Sequence, residues 1–280
     1  MMKDGMLAGA FVLIFVVAGL ILYAGTRPIS PTPTNAVGEI KENTQYLSID
    51  AKWPNATPLA ASAGSAADAA AVALMRTDVA TAVEQFKSDT NIASLTPEDI
   101  QTIGLGQDGR QYELNIDYEA TSSPATLSYI FSVYYDTLGA HPNATYITES
   151  FDSTSGAHLA LSDLFAPGTD YLNELSQLSR AALPAIIAER EQVSLSEVDP
   201  QMMNDGTTPE AQNFQWFYLT PGYLNLLFPP YEVGPYAAGP YVVRVPQSQL
   251  KAVLSPDFAD QFDGDPVKDA PEPNPDAGQQ

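Results

Sequence analysis

The sequence contains no cysteine. That excludes disulfides, thiolate metal ligands and a cysteine nucleophile, and it leaves the redox state of the compartment unmarked. Histidine is nearly absent too, with only His141 and His158 in 280 residues. No G-x-S-x-G, H-E-x-x-H, phosphate-binding loop or dinucleotide fingerprint occurs, and no Ser, Asp and His combination stands out. Gly104-Leu105-Gly106 is a lone G-x-G that reads as a loop, and Asp263-Gly264-Asp265 lacks the ligand spacing of a calcium loop. The sequence therefore calls for no cofactor and no metal. Basic residues are scarce: 12 Lys and Arg stand against 34 Asp and Glu, for a formal charge of −22. Seven of the acids and one Lys fall in residues 256–280, so the acidity belongs to the body as well as the tail. Such a field repels nucleic acid and anionic lipid, and speeds encounter with cationic partners. The same charge also serves solubility alone.

One long apolar run exists, residues 6–24, MLAGAFVLIFVVAGLILYA. It carries no charge and suffices to cross a hydrocarbon core of about 30 Å as a helix. Leu22 stands where a signal peptidase would want a small residue, which favours a retained transmembrane anchor over a cleaved leader. Residues 1–5 then form a short cytoplasmic end. Residues 25–38, rich in Pro and Thr, form an extended linker, and everything beyond is placed outside the cell at its membrane.

Two folded parts are predicted after the linker. Residues 39–125 open with a strand around Tyr46–Ala51. A helix follows over residues 66–86, with Ala71, Leu74, Met75, Val79, Ala82, Val83 and Phe86 on one stripe at the 3.6 period. Thr96-Pro97-Glu98-Asp99 predicts a capped helical turn over residues 97–102. Residues 111–118 and 126–137 alternate apolar and polar positions and read as strands, as does 145–152. In the second part, 126–255, helical spacing runs from Tyr171 to Glu189 with an interruption at Pro184, and Ser162 caps a helical turn at 161–165. A short helix is read over 194–203. Residues 256–280 are acidic, Pro-rich and predicted disordered. The fold class is α+β: two small mixed α/β subdomains, each an antiparallel sheet packed by one main helix, with no internal repeat.

The most informative stretch is 213–246, NFQWFYLTPGYLNLLFPPYEVGPYAAGPYVVRVP. Phe214, Trp216 and Tyr218 alternate, and Thr220-Pro221-Gly222-Tyr223 supplies a hairpin turn. Leu224, Leu226 and Phe228 resume the alternation until Pro229-Pro230 removes two donors and ends the strand. A loop of Gly, Pro and Tyr with a single charge follows, and a strand returns at Tyr241.

Three runs, Gly139-Ala140-His141-Pro142-Asn143, FDSTSGAHLALSDLF from Phe151 to Phe165, and FPPYEVGPYAAGP from Phe228 to Pro240, occur in an order that resembles the extracytoplasmic domain of RsiV-like proteins. In layout, residues 39–118 are similar to the smaller α/β domain shared with PdaC-type peptidoglycan deacetylases. The resemblance implies a two-part α+β ectodomain in a family whose best understood member binds the cationic enzyme lysozyme and restrains a sigma factor. Five cytoplasmic residues cannot hold a sigma factor. Two histidines without a separate catalytic domain cannot build a deacetylase metal site. What remains is the binding module.

No catalytic residue is assigned. The candidate binding surface is His141, Tyr231, Glu232, Tyr236 and Tyr241. Tyrosine offers contact area at little entropic cost, and Glu232 would pair with a partner's Arg or Lys. The blander readings are that His141 fixes its turn through a backbone carbonyl and that the tyrosines close the end of the sheet. The function expected is a membrane-anchored extracytoplasmic binding or sensing module of the cell envelope. A cationic protein such as lysozyme is the suggested partner and nucleic acid is excluded. Peptidoglycan binding, or a hydrolase or metal-dependent enzyme of the wall centred on His141 and Glu232, is the alternative.

Overall fold

The structure is a computed structural model that describes residues 37–259. The predicted cytoplasmic end, the span at 6–24, nearly all of the linker and residues 260–280 lie outside the described residues. Among the described residues no helix is long and apolar enough to cross a membrane.

The first sheet has five strands in the order β1-β2-β3-β4-β5. They are β1 (Val37–Asn43), β2 (Leu47–Pro54), β3 (Tyr112–Ser122), β4 (Thr126–Asp136) and β5 (Asn143–Asp152). Between β2 and β3 run three helices, α1 (Leu59–Ser62), α2 (Ser65–Asp89) and α3 (Pro97–Ile103). This long crossover lets β2 and β3 pair parallel while every other pair is antiparallel. The sheet is thus mixed, not purely antiparallel as expected. Leu47, Ile49, Ala51 and Trp53 alternate on the face of β2 that meets α2, and Ala71, Met75, Val79, Val83 and Phe86 answer from the helix. The predicted stripe is the buried one because residues three and four apart share a helix face. Thr96 and Asp99 cap α3 reciprocally, with Pro97 in its first turn.

The second sheet has β6 (Phe217–Thr220), β7 (Tyr223–Phe228) and β8 (Tyr241–Pro246), all antiparallel. Helix α4 (Tyr171–Glu191) packs on it, joined by α5 (Pro200–Gly206), α6 (Gln247–Leu250) and α7 (Pro256–Ala259). The hairpin turn at Pro221-Gly222 forms as read, with Gly222 at φ +77.

Several local expectations are corrected. Helix α4 continues through Pro184, because Leu183 and Ile187 on either side are buried and hold it to the sheet. Helix α5 starts at Pro200, after an Asp199 side chain that accepts the Gln201 N–H at 2.9 Å. The turn at Leu161–Leu164 is closed by the Asp163 carboxylate on the Ala160 N–H at 2.9 Å, not by Ser162. Residues 211–214 form a 3₁₀ turn, so the strand begins at Phe217. Phe258, in the expected tail, is buried in the second core.

Strands β4 and β5 belong to the first sheet, so the change of sheet falls after Asp152 and not at 125/126. A ten-residue antiparallel register between β3 and β4 makes a boundary there untenable. Strand β6 lies against this sheet and is buried on both faces. Phe217 and Leu219 enter the second core, whereas Tyr218 joins Ile130, Tyr146 and Leu227 in a small cluster at the seam. The seam is also hydrogen-bonded. Ser128 Oγ accepts the Leu219 N–H at 3.2 Å and meets Ser150 Oγ at 2.8 Å. Thr148 Oγ1 accepts the Phe217 N–H at 3.2 Å, and Trp216 Nε1 donates to the Tyr146 carbonyl at 2.7 Å.

Candidate functional site

Two loops converge where the sheets meet. The β4–β5 loop carries His141 and the β7–β8 loop carries Tyr231 and Tyr236. Pro229 and Pro230 end β7 and set up a turn in which the Glu232 N–H donates to the Pro229 carbonyl at 3.1 Å. Tyr231 takes the third position of that turn with φ +74, a conformation that favours glycine. A side chain held there costs about 1–3 kcal/mol. The loop is pinned from behind by Gly206, where a Cβ would come within 2.0 Å of the Glu232 carbonyl oxygen.

The rings of His141 and Tyr236 stack with centroids 4.1 Å apart, and Tyr231 lies 5.4 Å from Tyr236. His141 Nδ1 faces the Pro142 carbonyl at 2.7 Å, and Nε2 faces the Tyr231 hydroxyl at 3.1 Å. A carbonyl only accepts, so Nδ1 carries a proton, and Nε2 shares a hydrogen bond with the Tyr231 hydroxyl. Tyr236 OH donates to the same Pro142 carbonyl at 2.5 Å. Burial, then Tyr231, Asp136 and Tyr135, push the Tyr236 phenol above its ordinary value. Hydrogen bonds thus fix all three rings in direction. Tyr231 is 53% exposed, so its ring is presented to solvent from a strained, hydrogen-bonded position.

The other two predicted residues stand apart from this surface. Tyr241 is fully buried, with its hydroxyl donating to Glu191 Oε1 at 2.9 Å and Arg190 stacked 4.9 Å from its ring centroid. Burial and the Glu191 bond push its phenol well up. It is a core residue that anchors α4. Glu232 is half-buried, and burial raises its carboxyl. Its backbone seats on Gly206, while both ring nitrogens of His141 are engaged elsewhere. No acid–base pair between His141 and Glu232 follows. Sequence reasoning missed Pro142 as the shared acceptor and Asp136 as a carboxylate whose charge acts on Tyr236.

A second cluster escaped it altogether. Asp78 on α2 and Glu149 on β5 face one another, with His158 Nε2 2.5 Å from Glu149 Oε2. Both acids sit at positions facing the first core, Asp78 three residues after Met75 and Glu149 between Ile147 and Phe151. A charge on an inward position was the available signal. Among the described residues no group of three or more potential ligands could hold a metal ion. A groove of about 870 Å³ runs along the outer face of α2, lined by Arg76, Thr77 and Thr81 among others, but none of the five predicted residues reaches it.

Residues 162–248 match a family described as protein of unknown function, DUF3298, so the chain carries a DUF3298 domain there. The Phe228–Pro240 motif lies inside that segment. Over 155 residues, 54% of this chain, it is 28% identical to the peptidoglycan-N-acetylmuramic acid deacetylase PdaC of Bacillus subtilis, of which it spans 31%. Over 148 residues, 51% of this chain, it is 30% identical to the immunogenic protein MPT64 of Mycobacterium tuberculosis, of which it spans 60%. Among solved structures, a DUF3298 family member from Bacteroides fragilis superposes with a TM-score of 0.54 at 19% identity, covering 81% of this chain and 96% of that one. A DUF3298 family protein from Pseudomonas aeruginosa gives 0.50 at 14% identity, covering 80% and 94%. The fold is that of the DUF3298 proteins.

Proposed function

We propose that this DUF3298-bearing chain is a non-enzymatic, RsiV-like binding or sensing module of the cell envelope, held at the membrane by residues 6–24 with its body outside. In this reading it engages a cationic protein, of which a lysozyme-type muramidase is the example, through His141, Tyr231 and Tyr236. The observation that carries the reading is the convergence of two loops, 90 residues apart in sequence, on an exposed tyrosine held in a strained backbone conformation. A sheet end closed for packing alone gives no reason to maintain that strain. The formal charge of −22 supports a cationic partner, and Asp136 sets a negative field beside the rings. A Lys or Arg head group seated on the ring faces gains about 0.5–2 kcal/mol. Calorimetric titration of the chain with lysozyme at moderate salt tests this, with affinity falling as salt rises. No binding at high micromolar concentration removes that partner, and unchanged binding by Tyr231→Ala removes this surface.

A second reading, a wall glycan as ligand, draws on the similarity to a peptidoglycan deacetylase and on ring faces suited to a sugar. Muropeptides that raise the melting temperature of the wild type but not of Tyr231→Ala would support it over the first.

A further inference from the structure

Two partly buried acids that face each other across a helix–sheet interface need a proton between them. Glu149 has 12% of its side chain exposed, and Asp78 meets it from α2 through a side-chain hydrogen bond. As two ionised carboxylates they repel each other, and Asp78 Oδ2 has no hydrogen-bond partner. His158 Nε2 lies 2.5 Å from Glu149 Oε2 and forms an ion pair with it only when the ring is protonated. A single proton shared between the acids supplies the missing donor and removes the repulsion.

The segment between β5 and His158 shows what this contact fastens. Residues 152–158 form a tight hairpin, with the Asp152 N–H donating to the Ala157 carbonyl and the Leu159 N–H to the Ser150 carbonyl, both at 2.8 Å. Gly156 has φ +72 at its tip and lies so close to α2 that a Cβ would approach the Ala67 Cβ to 2.4 Å. Ala67 and Asp78 are eleven residues apart on α2, about 16 Å along its axis. Helix α2 is therefore tied to β5 at two points, once by the hairpin tip and once by the acid pair.

We propose that Asp78, Glu149 and His158 form a proton-operated latch that fastens helix α2 and the 152–158 hairpin to strand β5, closed while the carboxyls share a proton and loosened when it is lost. The other charged or titratable groups facing the latch do not replace the proton. From α2, Asp68 is committed to the Thr57 N–H at 2.6 Å. From the hairpin, Asp152 Oδ1 accepts the Thr154 and Ser155 N–H groups. From β4, the register partner Tyr129 is a buried phenol pushed far above its ordinary value by burial, then by Tyr118 and Asp68. His158 is 47% exposed and supplies a positive charge when protonated, which offsets the carboxylate that remains.

The sign follows from the acids. Burial, then the charge and hydrogen bond of Asp78, push Glu149 from 4.5 up to about 8, and burial also raises Asp78. The folded chain holds this proton more tightly than the unfolded chain does. The stabilisation is complete below the usual carboxylate range and is lost as pH rises to about 8. One proton linked to opening changes the opening equilibrium by about tenfold per pH unit inside that window. In Glu149→Gln the amide N–H donates to Asp78 permanently, which keeps the latch closed at every pH.

Amide hydrogen exchange of the full chain at pH 6, 7, 8 and 9, corrected for the intrinsic rate at each pH, reads the latch directly. In the wild type, protection of peptides spanning 71–86 and 150–159 should fall by about tenfold or more across the series relative to peptides from 223–246. In Glu149→Gln it should stay level. Should that variant fail to fold, the carbon-13 carboxyl titration of Glu149 in the wild type decides, with a midpoint near 8 expected. Equal pH dependence in wild type and variant, or a midpoint near 4.5, overturns the latch. The result is independent of the ligand assigned to the aromatic surface.

Discussion

Tyr231 offers a test in which the usual order of two substitutions should reverse. At ordinary backbone angles, alanine is more stabilising than glycine by about 0.4–1 kcal/mol, because glycine leaves more freedom in the unfolded chain. Tyr231 sits at φ +74, where any Cβ crowds the following carbonyl at a cost of about 1–2 kcal/mol. Tyr231→Ala keeps that strain while losing the ring contacts to Tyr236 and the hydrogen bond to His141. Those contacts are partly solvated and together contribute about 1–2 kcal/mol. Tyr231→Gly loses the same contacts but relieves the strain, which leaves chiefly the entropy cost of glycine. The expectation is a stability lower than wild type by about 0.4–1 kcal/mol for Tyr231→Gly and by about 1–2 kcal/mol for Tyr231→Ala. Both lose the exposed ring and therefore the proposed ligand. Urea unfolding followed by the fluorescence of Trp53, buried in the first core, and Trp216, at the seam, measures the difference. An alanine variant as stable as the glycine variant, or more so, would falsify the claim that the loop stores strain beneath this ring.

Gly206→Ala places a Cβ 2.0 Å from the Glu232 carbonyl oxygen, so the loop must shift; stability should fall by about 2 kcal/mol or more and ligand binding should weaken with it, as unfolding and titration would show. Ser128→Ala removes the acceptor of the buried Leu219 N–H, and a loss of about 1–3 kcal/mol is expected in chemical denaturation, with faster exchange in β6. Met75→Ala opens a cavity between α2 and the first sheet and should cost about 2–5 kcal/mol, whereas Met202, exposed on α5, should tolerate alanine within about 0.5 kcal/mol.

The parts of the fold that could be read from the sequence are those in which one face of an element is buried. Helix α2 declares itself through Ala71, Met75, Val79 and Val83, and β2 through Leu47, Ile49 and Ala51, because each has one wet side to contrast with the dry one. Strand β6 has no wet side. All four of its residues are buried between the two sheets, so the apparent alternation of Phe214, Trp216 and Tyr218 pointed to a strand that starts too early. The 125/126 division failed for a related reason. A turn between two strong strands resembles a linker, and nothing local distinguishes a hairpin within one sheet from a passage between two. Pro184 opposes a helix by local propensity, whereas the buried flanks of Leu183 and Ile187 outweigh that penalty.

The candidate site was legible as residue types and illegible as geometry, and its position bears on what it can do. His141 belongs to the loop of the first sheet and Tyr231 and Tyr236 to a loop of the second, so the ring cluster straddles the seam that Ser128, Thr148 and Trp216 hold from within. A ligand seated on all three rings contacts both sheets at once. It therefore stabilises their present arrangement over any in which the loops part, by the difference in its affinity for the two. Tyr241, fully buried beneath the same loop and bonded to Glu191 at the end of α4, ties the second half of the site to the longest helix of its core. Contact at the rings is thus borne by both cores.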